Sequence, residues 1–351
     1  MSARRPTEEE LPKREKEILR AIVQDFIATG EPVGSGAIAP RYELSSATVR
    51  SAMADLEALG YLEKPHTSAG RVPTDKGYRL YVDSLLRIRA PGPKERERIE
   101  RRVQPASLSE LMAGAGQTLH QLTHHASVVL APTFEKALLR RIEFVRLRED
   151  RVLAILVTQA GMVQNRLITL DFPLLSGELE HATNVVNELL AELTLEQIHE
   201  RLQREKQKEQ ALYDELHRKS LELAQRAFDG ELPEAPLHLE GEASFLNEPA
   251  FAEDLEKMRK LFSSLAEKER LLVVLRRAIE GREVQIFIGA ESELSGVSGV
   301  SIVAAPYTQG EITLGAMAVI GPTRMNYAKV IPVVEYTARA VSRALGVDPE
   351  H

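Results

Sequence analysis

The residues best suited to chemistry lie in one stretch, 45–77, SSATVRSAMADLEALGYLEKPHTSAGRVPTDKG. Ser46, Ala47, Thr48, Arg50 and Ser51 bring small groups, hydroxyls and one long cation close together. Such groups do not break bonds; they allow close approach and hydrogen bonding to flat polar edges. On a helix they suit a DNA major groove, where base edges present donors and acceptors. His66, Thr67, Arg71 and Lys76 follow within reach of one turn and suit phosphate oxygens. Elsewhere, catalytic constellations are missing. His124 and His125 are adjacent, so on a helix their rings diverge and make a poor metal pair. No HExxH, nucleophile elbow, P-loop or GxGxxG stands in a supporting context, and no metal or cofactor is expected. The small residues Ala113, Gly114, Ala115 and Gly116 follow no strand and read as close helix packing.

These side chains need elements to hold them. Ser45 or Ser46 can cap a helix by satisfying a free amide. Val49, Ala52, Leu56 and Leu59 recur at spacings of three and four, which makes a buried stripe behind the polar face, and Gly60 ends it. Strands over 61–64 and 71–74 flank a turn punctuated by Pro65 and Gly70. A ribbon directly after such a helix is the wing of a winged helix-turn-helix. On pattern alone, the same helix and hairpin also fit an ordinary α+β fragment. Upstream, Pro12 opens a helix with apolar positions Ile18, Leu19, Ile22, Val23, Phe26 and Ile27, ending at Gly30. Before it, residues 1–11 read as a tail carrying Arg4 and Arg5.

With 351 residues, the chain exceeds one comfortable core, so two or three domains are expected. There is no Cys, which excludes disulfides, thiolate metal sites and a thiol switch. The polar N-terminus and the lack of any apolar run of membrane length point to a cytoplasmic protein. The net charge of −7 argues against a general basic coat. Residues 1–89 hold 14 Lys+Arg against 13 Asp+Glu, however, while the remainder holds 31 against 39. A DNA footprint must therefore be local and oriented.

Beyond a Pro/Gly break at 90–93, helices are expected over 94–103 and 108–123. Strands follow over 128–131, 141–148, 152–158 and 163–170, then a helix from Glu178. The segment 195–228 reads as one extended, charge-laced helix with a narrow seam at Ile198, Leu202, Leu212, Leu216 and Leu223, suited to a partner helix. Another helix spans 251–265. Strands resume over 284–288, 300–304 and 312–320, and a helix over 327–345 closes the chain. Two groups of strands separated by helices suggest one α+β sheet domain with a helical insertion.

The run LSSATVRSAMADLEALGYLEKPHTSAGRVPTDKGYRLYVD closely resembles the N-terminal signature of the HrcA family of bacterial heat-shock repressors, and GPTRMNYAKVI at 321–331 resembles its C-terminal signature. The resemblance implies an α+β multidomain chain. A winged helix would occupy 1–89, a GAF-like domain 94–175 and 266–351, and an inserted helical dimerisation domain 176–265. It further implies a homodimer on double-stranded DNA, at the inverted-repeat operator called CIRCE upstream of chaperone operons. The chaperonin GroEL would help keep it active. The alternative is a winged-helix regulator whose GAF-like domain binds a small-molecule effector, with 312–320 and the helix after it as walls. Arg324 and Asn326, directly after Gly-Pro, are expected to structure a loop or an interdomain surface.

Overall fold

The structure is a computed structural model that describes residues 11–65, 70–104, 107–172, 174–209, 215–230, 235–252, 254–292 and 297–346. The tail with Arg4 and Arg5, the wing tip with His66 and Thr67, and Leu212 lie outside the described residues.

The N-terminal apolar stripe folds as Lys13–Thr29 (α1), with Ile18, Leu19, Ile22 and Val23 buried. Gly30 stops it at φ +74°, donating its N–H to Phe26 O at 2.8 Å. Ser35–Ile38 (α2) and a tight turn at Ala39–Tyr42 lead into Ser46–Ala58 (α3). Leu62–Glu63 (β1) pairs antiparallel with Val72–Pro73 (β2), Leu62 facing Pro73. An isolated antiparallel bridge between Val33 and Arg71 anchors the base of the ribbon. Asp75–Leu80 (α4), capped by Thr74, runs into a wider turn over Tyr81–Leu85. The domain is a winged helix-turn-helix. Its ribbon strands are two residues each, shorter than the spans expected.

After the Pro/Gly break, Glu95 accepts the Gly92 N–H at 2.8 Å and starts Pro93–Arg102 (α5). Leu108–Thr123 (α6) follows. A Cβ at Gly114 would lie 2.6 Å from Arg102 O, and Ser127 Oγ donates to Gly116 O at 2.7 Å, so the small residues do serve close packing. Ala126–Leu130 (β3) enters the central sheet. Leu139–Arg148 (β4), Arg151–Thr158 (β5) and Val163–Thr169 (β6) form a separate three-stranded antiparallel sheet, and Ser176–Leu190 (α7), Leu195–Glu209 (α8) and Glu215–Phe228 (α9) cover its inner face.

Leu237–Glu240 (β7) returns the chain to the central sheet beside β3. Pro249–Ala252 (α10), Leu255–Ala266 (α11) and Lys268–Gly281 (α12) precede Gln285–Ile288 (β8), Val300–Gln309 (β9) and Ile312–Pro322 (β10). Tyr327–Gly346 (α13) closes the chain. The central sheet runs β7-β3-β10-β9-β8, entirely antiparallel. Its two faces bury different layers. Val129, Tyr307, Met317 and Val319 join α6, α13 and the winged helix in one core, while Val128, Ile302, Ala318 and Ile320 pack on α11 and α12 in another. This is the GAF-like α+β domain, with helices on both faces of one sheet.

The structure differs from the sequence expectation in three respects. The strands over 139–169 belong with the inserted helices and not with the GAF-like sheet, because Ile142, Phe144, Ala154 and Leu156 share a core with Val186, Leu190 and Phe228. Conversely, α11 and α12 pack on the central sheet, so the divisions at 175/176 and 265/266 cut across the cores. Third, 195–228 is two helices, not one. Ile198, Leu202 and Leu223 are buried inside the insertion, so these members of the expected seam face its own core and no partner helix. Residues 312–320, a pocket wall only in the alternative reading, fill the core: Leu314, Ala316, Met317, Ala318, Val319 and Ile320 are all buried.

Candidate nucleic-acid interface

The helix α3 is built from its cap outward. Ser45 is extended (φ −72°, ψ 147°), and its Oγ accepts the Thr48 N–H at 3.0 Å. The two hydroxyls also meet at 2.8 Å. Thr48 is thereby half-buried and fixed, while Ser46, Ala47, Arg50 and Ser51 are exposed around it. Val49, Ala52, Met53 and Leu56 bury the opposite side against α1 and α2, though Leu59, counted in the apolar stripe, is 40% exposed. The exposed group thus forms one rigid polar face at a helix N-terminus, where unpaired backbone amides and the helix dipole favour phosphate. Among the described residues, Arg50 has no ion-pair partner.

The other two cations assigned to the wing are tied internally. Arg71 Nη2 lies 2.6 Å from Glu57 Oε2, and only 13% of the Arg71 side chain is exposed. Lys76 Nζ donates to Leu59 O at 2.8 Å and sits 4.4 Å from the centre of the Tyr61 ring. Thr74 Oγ1 donates to Gly60 O at 2.7 Å. These contacts fasten the C-terminal end of α3 to the ribbon and to α4. Lys64, which the sequence reading passed over, is exposed at the end of β1 beside Pro65. Its signal was a lysine adjoining a turn.

Contacts to the GAF-like domain run through α4 and the end of α1. Arg79 pairs with Glu291 and donates to Ile286 O at 2.6 Å. Asp75 Oδ2 accepts the Ala290 N–H at 3.1 Å, and Tyr78 packs on Tyr327 with ring centres 6.1 Å apart. Burial pushes both tyrosine hydroxyls well above their usual range. Arg324 bonds Glu248 at 2.9 Å and packs on Gly30, while Asn326 O accepts the amides that begin α13. The C-terminal motif therefore lines the joint with α1, and α3 stays open.

His124 ends α6 in the left-handed region, so the two histidines do not share a helix. His125 packs on Gly321; burial, then the neighbouring charges of His124, Lys329 and Arg324, lower it to about 4. Among the described residues, no cluster of His, Asp and Glu could hold a metal, and no helix is long and apolar enough to cross a membrane.

Residues 109–331 match the family model described as HrcA protein C terminal domain. The heat-inducible transcription repressor HrcA of Anaeromyxobacter sp. (strain K) is 51% identical over 346 residues, covering 96% of this chain and 97% of that one. The protein of the same name from Geobacter sulfurreducens is 47% identical over 340 residues, with 96% and 98% covered. A solved structure described as a hypothetical protein shares the fold at TM-score 0.62 and 23% identity, covering 96% of this chain and 99% of that one. With its winged helix, its GAF-like sheet and relatives that match from end to end, the chain belongs to the HrcA family.

Proposed function

We propose that this protein is a dimeric, DNA-binding transcription repressor of chaperone operons that responds to heat. The observation that carries the reading is the capped α3, which holds Ser46, Ala47, Arg50 and Ser51 on an open face with Arg50 unpaired. Thr48 shapes the start of that face. Ser46, Ala47 and Ser51 approach the base edges, and Arg50 reaches a guanine edge or a phosphate. Lys64, with His66 and Thr67 of the wing, meets the backbone. Arg71 and Lys76 position the wing and serve DNA through that role.

One winged helix discriminates weakly, since each mismatched base pair costs about 1–3 kcal/mol. A two-fold dimer on an inverted repeat such as CIRCE doubles the readout. The outer face of the β4-β5-β6 sheet is suited to make that dimer. In register across it run Val145, Leu153 and Leu167, then Glu143, Ile155 and Asn165, then Arg141, Val157 and Val163. Val145 is 42% exposed, Leu167 56% and Val163 62%. The apolar side chains flank an internal Arg141–Glu143 ion pair, and a two-fold axis would set the same apolar patch of each copy against the other. From strand spacing and rise, the face covers only about 14 by 27 Å. A stable interface of roughly 800 Å² per partner therefore needs flanking surface as well.

Heat acts by diverting the chaperonin GroEL to unfolded clients or by loosening the repressor itself. A gel shift with the protein's own chaperone promoter, with and without chaperonin, tests the proposal. Retarded DNA that depends on the inverted repeat and strengthens with chaperonin supports it; equal retardation of a scrambled repeat overturns it.

A further inference from the structure

Where the inserted unit joins the central sheet, the packing leaves a cavity of about 420 Å³. The start of α6 supplies Leu108 and Met112, the outgoing connection Phe134, the β5–β6 turn Met162, and the returning connection Pro236. The volume falls within the range of small-molecule sites. Among the described residues the walls carry no Asp, Glu, Lys or Arg; their polar groups are Ser107, Ser109, Gln164 and His238. Two of the apolar walls are methionines, whose unbranched side chains adapt to shape. Gln164 stands opposite Leu156, on the inner face of the three-stranded sheet, and lines the cavity. Its Oε1 is buried and has no hydrogen-bond partner among the described residues.

We propose that this cavity is a binding site for a small, neutral, mainly apolar molecule carrying one hydrogen-bond donor. The walls supply the hydrophobic contact, no charged carboxylate, ammonium or guanidinium among the described residues faces it, and Gln164 Oε1 is the acceptor that such a donor satisfies. The position adds a consequence. Both chain passages between the central sheet and the insertion line the cavity, and a second space of about 480 Å³ lies on the other side of Phe134 and Ala235. A bound molecule braces the insertion against the GAF-like domain and thereby sets the spacing of two winged helices in a dimer. The binding site stands apart from the DNA-binding reading; its effect on the spacing of the winged helices rests on that reading.

The test uses the full-length chain and N-phenyl-1-naphthylamine, a neutral fluorescent probe with a single N–H donor. A saturable, blue-shifted rise in fluorescence at one probe per chain is expected. Gln164→Leu should weaken the probe at least fivefold, while 1-phenylnaphthalene, which lacks the donor, competes equally well on both proteins. Leu108→Trp, which fills the cavity from the half-buried start of α6, should weaken both compounds at least tenfold. Absence of saturable binding, or binding that survives both substitutions unchanged, overturns the proposal.

Discussion

Arg71, directly before the second strand of the ribbon, lies 2.6 Å from Glu57, three turns into α3. The pair joins the two parts of the interface, so the angle between helix and wing is set within the domain before DNA arrives. The arginine is mostly covered, with 13% of its side chain exposed, and so acts as a brace.

Breaking that brace should cost both stability and affinity. Glu57→Gln leaves a largely covered guanidinium without its carboxylate and is expected to lower stability by about 1–2 kcal/mol. Affinity for the operator should fall as well, although Glu57 itself repels phosphate. Urea denaturation and DNA titration of one preparation check both. A variant that binds DNA more tightly at unchanged stability would assign Arg71 to the phosphates instead.

The outer face of the insertion makes a separate prediction. Leu167→Glu puts a carboxylate in the row that joins Val145 and Leu153, on a side chain already 56% exposed, so the fold should tolerate it. Sedimentation should show dimers of the unchanged chain and monomers of the variant. A variant that stays dimeric places the interface elsewhere.

The joint between domains is open to proteolysis. Arg79 and Glu291 form the ion pair across it, and Asp75 holds the amide of Ala290. Glu291→Ala is expected to quicken cleavage at residues 87–92 several-fold, because the winged helix loses a tether while its own core is untouched. Timed digestion followed by mass measurement reads the effect.

His125 sets a dependence on pH. Its folded pKa of about 4 lies below the ordinary value of 6.5, so the unfolded chain binds the extra proton first. Stability is complete above pH 6.5 and declines as pH falls towards 4, by a contribution on the order of 3 kcal/mol. Thermal melts of His125→Gln should lose this part of the acid dependence.

Much of this was legible in the sequence, and the limits have physical causes. The stripes of α1, α3 and α13 are local patterns, as are the Ser45 cap and the Gly30 stop, and each reads directly from spacing. Strand pairing is not local. Residues 139–169 alternate much as sheet strands anywhere do, and only their pairing partners place them in the insertion. The strand β7 is four residues long, sits at a sheet edge and lies in a Pro/Gly-rich stretch, so no periodicity could announce it. Within the site, the polar face of α3 followed from one helix, whereas the partner of Arg71 lies 14 residues away and across a turn.

The most direct test is the affinity of Arg50→Ala for the inverted repeat of the protein's own chaperone promoter, measured by fluorescence anisotropy at fixed salt against a scrambled repeat. Loss of a good contact to a base edge is worth about 1–3 kcal/mol, so affinity for the true repeat should fall by about fivefold to a hundredfold, and preference over the scrambled repeat should shrink, with Tm unchanged. Equal affinity of variant and parent for the true repeat would contradict the assignment of α3 as the reading element.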